Sequence, residues 1–214
     1  SAEAAARFVR EARAAASIRS EHVVRVTDVG TLDNGTPYMV MELLEGEDLA
    51  SLLAKGGPLS IADAIDFVVQ AAEALVEAHG QGIVHRDLKP SNLFLTTRVD
   101  GSPQVKLLDF GAAKGRTKSD GALTAQGQVV GTPWYMSPEQ AQGFDLDPRS
   151  DQFSLAVVLY EVLTGKLPFE GDNPTAALWK IVEDPHESAR TLNPNLPAGV
   201  DALFDRALAK LPDD

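Results

Sequence analysis

The chain has 214 residues, 31 Asp and Glu against 19 Lys and Arg, a net charge of −12 and no cysteine. That length suffices for a core burying about 70% of the unfolded surface, while the acidic balance without a long basic stripe argues against nucleic acid or anionic membrane as partners. The lack of cysteine excludes disulfides and thiolate metal sites, and the longest apolar run, Leu155 to Tyr160, is too short to span a membrane.

The alanine-rich stretch 2–19 predicts a helix with Glu11, Ala15 and Ile18 on one face. Val23–Val26 and Tyr38–Met41 read as strands joined by the Asp33-Asn34-Gly35 turn. Two strands make a poor sheet by themselves and should leave an apolar face exposed. A short helix over Asp48 to Lys55 ends at Gly56-Gly57-Pro58. Ser60 then caps a long helix whose predicted core stripe is Ile61, Ile65, Val68, Ala72, Leu75, Val76 and His79. Leu93-Phe94-Leu95 and Val105-Lys106-Leu107-Leu108 predict a hairpin turning at Asp100-Gly101. Ser137-Pro138-Glu139 reads as an N-cap, a proline at the first helical position and an acid in the first turn. The most apolar helix follows Asp147-Pro148 and ends at Gly165; a helix apolar nearly all round is a buried one. Two more amphipathic helices are predicted over 173–183 and 199–210, and the stretches 114–128 and 183–198 read as loops.

The stretch that carries chemistry is His85-Arg86-Asp87-Leu88-Lys89-Pro90-Ser91-Asn92. An acid, a lysine two residues on and an amide five residues on are what phosphoryl transfer needs in one loop. Asp87 can orient and accept the proton of an attacking hydroxyl, Lys89 can neutralise charge on the moving group, and Asn92 can hold a magnesium ion. The hairpin would fold Asp109, of Asp109-Phe110-Gly111, back beside Asn92, and a second carboxylate there completes a hard, oxygen-rich Mg²⁺ site. These two motifs at this spacing resemble the signature of protein kinases, and specifically the eukaryotic-like (Hanks-type) serine/threonine kinases of bacteria.

The resemblance implies an α+β, two-lobed fold, with a partial small lobe over 1–44 and a large lobe over 45–214. It implies ATP and Mg²⁺ as cofactors and transfer of the γ-phosphoryl group to Ser or Thr of proteins. Asp87, Lys89, Asn92 and Thr132 are then catalytic, and Asn92 and Asp109 are the metal ligands. Glu11 takes the place of the helix-C glutamate that pairs with a phosphate-binding lysine. Met41 lies at the back of the adenine pocket, and the Glu42 carbonyl and Leu44 amide bond adenine. His85 becomes a scaffold residue, and Arg86 the receptor of an activation-loop phosphate. Thr117, Ser119 and Thr124 lie in the activation segment, with Thr124 favoured for autophosphorylation. Asp151 is implied to hold the backbone of the catalytic loop.

Residues 1–10 hold neither glycine nor lysine. The chain is therefore expected to lack the family's glycine-rich loop and phosphate lysine, and to be nearly inactive alone. Glu139, whose family partner is a later arginine, is expected to lack that arginine here. The segment is expected to be cytoplasmic, although a longer parent chain could be membrane-anchored. Two rival readings stay open: a pseudokinase or docking module without turnover, and a small-molecule phosphotransferase. The Gly131–Glu139 segment, shaped to seat a polypeptide, argues against the second.

Overall fold

A computed structural model describes residues 2–110 and 133–212, with backbone alone at residues 2–4 and 11. Thr117, Ser119, Thr124 and Thr132 lie outside the described residues, as does the side chain of Glu11. The chain divides into two compact units, Ser1–Ser51 with Val69–Gly115, and Leu52–Val68 with Arg116–Asp214.

In the first unit, helix α1 spans Ala2–Ser17 and buries Ala12, Ala15 and, just beyond its end, Ile18. Strands β1 (Val26–Thr31) and β2 (Pro37–Met41) pair antiparallel as a two-stranded sheet. Their turn closes as its residues demand. Gly35 takes φ 84°, where glycine has no Cβ to clash, and the Asn34 side chain accepts the Thr36 amide at 2.9 Å. Val40 and Met41 remain exposed, as a sheet of only two strands leaves them.

The predicted strand 23–26 is divided between two sheets. Val26 opens β1, whereas Val23 makes a parallel bridge to Leu107. The Val24 amide donates to the Leu107 carbonyl at 3.0 Å, and the Leu107 amide donates to His22 at 2.8 Å. Backbone groups of a buried strand must all find partners, and Leu107 finds two of its own in this stretch.

The second sheet of this unit has the order β3–β4–β5, with β3 at Glu47–Asp48, β4 at Leu93–Thr97 and β5 at Pro103–Leu107. The hairpin turn is where the sequence places it, with Gly101 at φ 87°. Helix α2 (Leu49–Gly56) starts one residue later than expected because Asp48 belongs to β3. Asp48 still accepts the Ser51 amide and hydroxyl at 2.9 and 2.7 Å, as an N-cap does.

Helix α3 spans Ile61–Gly80, with the Asp63 amide donating to the Ser60 hydroxyl. Its buried face follows the predicted stripe only in part: Leu75 is buried and Ile61, Val68, Ala72 and His79 are half-buried, but the centre of the face lies elsewhere. Ala64, Phe67, Ala71, Ala74, Leu75 and Ala78 are buried, whereas Ile65 and Val76 are 51% and 73% exposed. A pattern weighted by side-chain size follows the large aliphatics, but close packing of a helix favours its alanines. Gln70 is buried among them because its Oε1 accepts the Val105 amide at 2.9 Å.

The second unit centres on α5 (Pro148–Thr164), whose inner residues Val157, Val158 and Tyr160 are fully buried. Asp147 caps its start, and Gly165 ends it at φ 74°. Helix α4 (Pro138–Gln142) carries the expected Ser137 cap, as a full capping box with Gln140. Helices α6 (Pro174–Glu183) and α8 (Val200–Ala207) match the two amphipathic stretches, with α8 shorter than its prediction. The expected loop 183–198 contains a further turn of helix, α7 (Ala189–Leu192), which Ser188 caps through the Thr191 amide. No helix among the described residues is long and apolar enough to cross a membrane.

Candidate active site

The loop 85–92 sits in the first unit between α3 and β4, and its shape is set from within by His85. That side chain is 0% exposed. Its Nε2 donates to the Leu108 carbonyl at 2.8 Å, while its Nδ1 accepts the Asp87 amide at 3.3 Å. A carbonyl can only accept and an amide N–H can only donate, so the ring is the neutral Nε2–H tautomer. Its face packs on Phe110 with centroids 4.7 Å apart. One imidazole thus ties Asp87 to the strand end that precedes Asp109.

Lys89 and Asn92 converge on Asp87. The Lys89 ammonium donates to Asp87 Oδ2 at 2.9 Å, with both side chains about one-fifth exposed. Asn92 Nδ2 donates to the Asp87 carbonyl at 2.8 Å and approaches Oδ2 at 3.4 Å. Charge-assisted bonds of this kind fix a carboxylate more firmly than neutral ones. Because the Asn92 nitrogen faces Asp87, its oxygen is the end available as a ligand. The Leu108 amide donates to the Asn92 carbonyl at 2.9 Å, which brings the exposed Asp109 to the same corner. A carboxylate and an amide oxygen form a hard donor set that suits Mg²⁺.

Backbone strain concentrates here. Among the described residues, Arg86 (φ 69°) and Asp109 (φ 56°) are the two non-glycine residues with positive φ. Each costs about 1–3 kcal/mol and persists only where surrounding bonds over-determine it. Arg86 is exposed.

The expected nucleotide-base segment follows β2. Met41, its last residue, pairs with Val26, and Leu44 lies half-buried in the loop beyond. Glu42 is held through its amide, which donates to the Arg25 carbonyl at 2.9 Å, and through its carboxylate. The carboxylate accepts the Arg25 amide at 2.8 Å and the Lys106 ammonium at 2.9 Å. Burial alone would raise this acid, but the two donors outweigh it and hold Glu42 below its ordinary value. Neither Arg25 nor Lys106 was legible as a neighbour of Glu42. Lys106 stands 64 residues away, and its strand alternation marked it only as polar.

In the second unit the Glu139 carboxylate accepts the Ser150 hydroxyl, in the first turn of α5. Tyr135 donates to Glu161 Oε2 at 2.8 Å. Burial raises both of these acids, so Tyr135 stays the neutral donor. Asp151 is fully buried in the first turn of α5.

The sequence profile described as protein kinase domain matches residues 1–213. Serine/threonine-protein kinase pkn3 of Myxococcus xanthus is 41% identical over 213 residues, which are 98% of this chain and 39% of that protein. Serine/threonine-protein kinase PknB of Mycobacterium tuberculosis is also 41% identical, over 97% of this chain and 33% of its own length. The chain therefore spans between a third and two-fifths of these relatives. The crystal structure of the Mycobacterium tuberculosis PknI kinase domain matches with a TM-score of 0.74 at 29% identity, over 99% of this chain and 73% of that one. With the fold, the profile and the bacterial relatives in agreement, the chain belongs to the protein kinase domain family.

Proposed function

We propose that this domain transfers the γ-phosphoryl group of ATP to serine or threonine hydroxyls of proteins, with Asp87 as the base. The observation that carries the reading is the convergence of Lys89 and Asn92 on Asp87, at 2.9 and 2.8 Å. Asp87 accepts the proton of the incoming hydroxyl and aligns its oxygen. Lys89, anchored on the same carboxylate, places positive charge where the transferring group passes. Asn92 and Asp109 would hold Mg²⁺, which neutralises charge on the phosphates. Glu42 and Leu44 contact adenine through backbone, and Met41 borders the base. Glu11 and Thr132 are proposed to complete the phosphate and hydroxyl sides, and Thr124 to be the favoured site of autophosphorylation. The lobes are proposed to meet near residue 44, and the domain to work in the cytoplasm.

The printed names of the relatives, serine/threonine-protein kinases, support a protein acceptor over a small molecule. The test is transfer of labelled γ-phosphate to the chain itself and to a generic protein, with an aminoglycoside as the alternative acceptor. In a protein that also carries the glycine-rich loop and phosphate lysine, protein labelling that falls about 10²–10⁴-fold in Asp87→Asn is the expected result, with little labelling by the 214 residues alone. Labelling of the aminoglycoside alone, or protein labelling unchanged in Asp87→Asn, would overturn the reading.

A further inference from the structure

Lys106 is a charged residue in the middle of β5, flanked by the fully buried Val105 and Leu107, and it is itself only 9% exposed. A buried ammonium is tolerated where a partner compensates its lost hydration. Glu42 is that partner, at 2.9 Å. The two residues belong to different structures. Glu42 continues from β2, in the two-stranded sheet, whereas Lys106 pairs with Phe94 in the β3–β4–β5 sheet. Among the described residues no pairing of named strands joins these sheets; the stretch leading into β1 bridges to Leu107 at Val23, and this ion pair links the end of β2 to β5.

What lies at either end gives the pair its interest. Glu42 opens the segment whose backbone is assigned to adenine. Lys106 stands three residues before Asp109, assigned to the metal. The carboxylate also takes the Arg25 amide, so the base segment is fixed against β1 and β5 at once. A buried pair of this kind adds little net stability, but it admits one geometry and penalises others.

We propose that Glu42 and Lys106 form a clasp that couples the base-binding segment to the metal-bearing strand end. The proposal rests on the kinase reading for what binds there. The Lys106 and Glu42 side chains are assigned as positioning residues, since they bond each other and are not among the groups proposed to hold nucleotide or metal. With the clasp closed, adenine and Mg²⁺ meet sites already in mutual register, and each ligand strengthens the other. With it open, the base segment and Asp109 move independently and that reciprocal gain is lost.

The test compares ADP affinity with and without Mg²⁺, by calorimetry, in the wild-type chain, Lys106→Met and Lys106→Arg. The clasp predicts that the Mg²⁺-dependent gain shrinks about fivefold or more in Lys106→Met and returns in Lys106→Arg. An unchanged gain in folded Lys106→Met overturns it. Should that variant not fold, Glu42→Gln keeps both donors but drops the charge, and the same shrinkage is required of it.

Amide hydrogen exchange separates the clasp from the kinase reading. No ADP binding by the wild-type chain would count against nucleotide chemistry, and the clasp is then judged by exchange at Leu108. That amide contacts neither member of the pair and sits beside Asp109. Faster exchange there in Lys106→Met supports coupling between the two ends, and unchanged exchange overturns it.

Discussion

The Nε2–H of His85 donates to the carbonyl of Leu108 at 2.8 Å, across 23 residues of sequence. Through this bond the catalytic loop and the strand that ends at Asp109 share one buried side chain. His85→Leu keeps much of the volume but leaves the Leu108 carbonyl and the Asp87 amide without partners. The expected loss is about 2–6 kcal/mol, at 1–3 for each unmade buried bond. Chemical denaturation of the variant checks it, and an unchanged midpoint would mean that water replaces the imidazole.

On the proposed reading Asn92 has two tasks: its nitrogen bonds the Asp87 carbonyl, and its oxygen would be left to the metal. Asn92→Ala removes both. The expected outcome is a drop in kcat of about 10²-fold, the usual cost of a misplaced catalytic group, with a raised Mg²⁺ requirement. A Mg²⁺ titration of phosphoryl transfer separates the two effects. A loss of rate at unaltered Mg²⁺ dependence would assign Asn92 to loop geometry alone.

Glu161 sets a pH dependence in the second unit. Burial lifts it above its ordinary value of 4.5, and the Tyr135 hydroxyl only partly offsets that. Between those two values the native state keeps a proton that the unfolded chain has released. Its contribution therefore lowers stability as pH rises through this window. Glu161→Gln still accepts the Tyr135 hydroxyl but has no proton to lose. The variant should gain in melting temperature relative to wild type on going from pH 4 to pH 7. Parallel curves for the two proteins would show that the carboxylate is solvated after all.

Ser137 begins α4 by accepting the Gln140 amide at 3.3 Å, while Gln140 reaches back to the Ser137 amide at 3.0 Å. Ser137→Ala removes the hydroxyl half of this box and leaves the backbone half in place. It should cost about 1 kcal/mol, read as a fall of roughly 2–4 °C in melting temperature for a chain of this size. Ser137→Asp, which restores the acceptor, should recover most of it.

Features legible in the sequence were those written in short-range spacing. The loop 85–92, the hairpin that returns Asp109 to Asn92, the Ser137 cap and the end of α5 at Gly165 each depend on residues close together in the chain. The misses all involve partners distant in sequence or small in size. Val23 and Val24 looked continuous with β1, but the Val24 amide and the His22 carbonyl are claimed by Leu107, more than 80 residues on. The partner of Glu139 is a serine on another helix, and a serine at a helix start reads as an ordinary first-turn residue. The clasp escaped notice for the same reason, because a lysine within a strand looks like its solvent face until the fold supplies Glu42.

The alanine face of α3 carries a consequence for how this helix tolerates change. Ala64, Ala71, Ala74 and Ala78 are each 0% exposed. Enlarging any of them by even a few methylenes would force neighbouring side chains off their rotamers, at about 1–3 kcal/mol each. Ile65 and Val76, far more hydrophobic, stand in solvent and should accept polar residues nearly freely. Along this helix the heritable constraint is bulk, and a survey of variants should find its most restricted positions occupied by its smallest side chains.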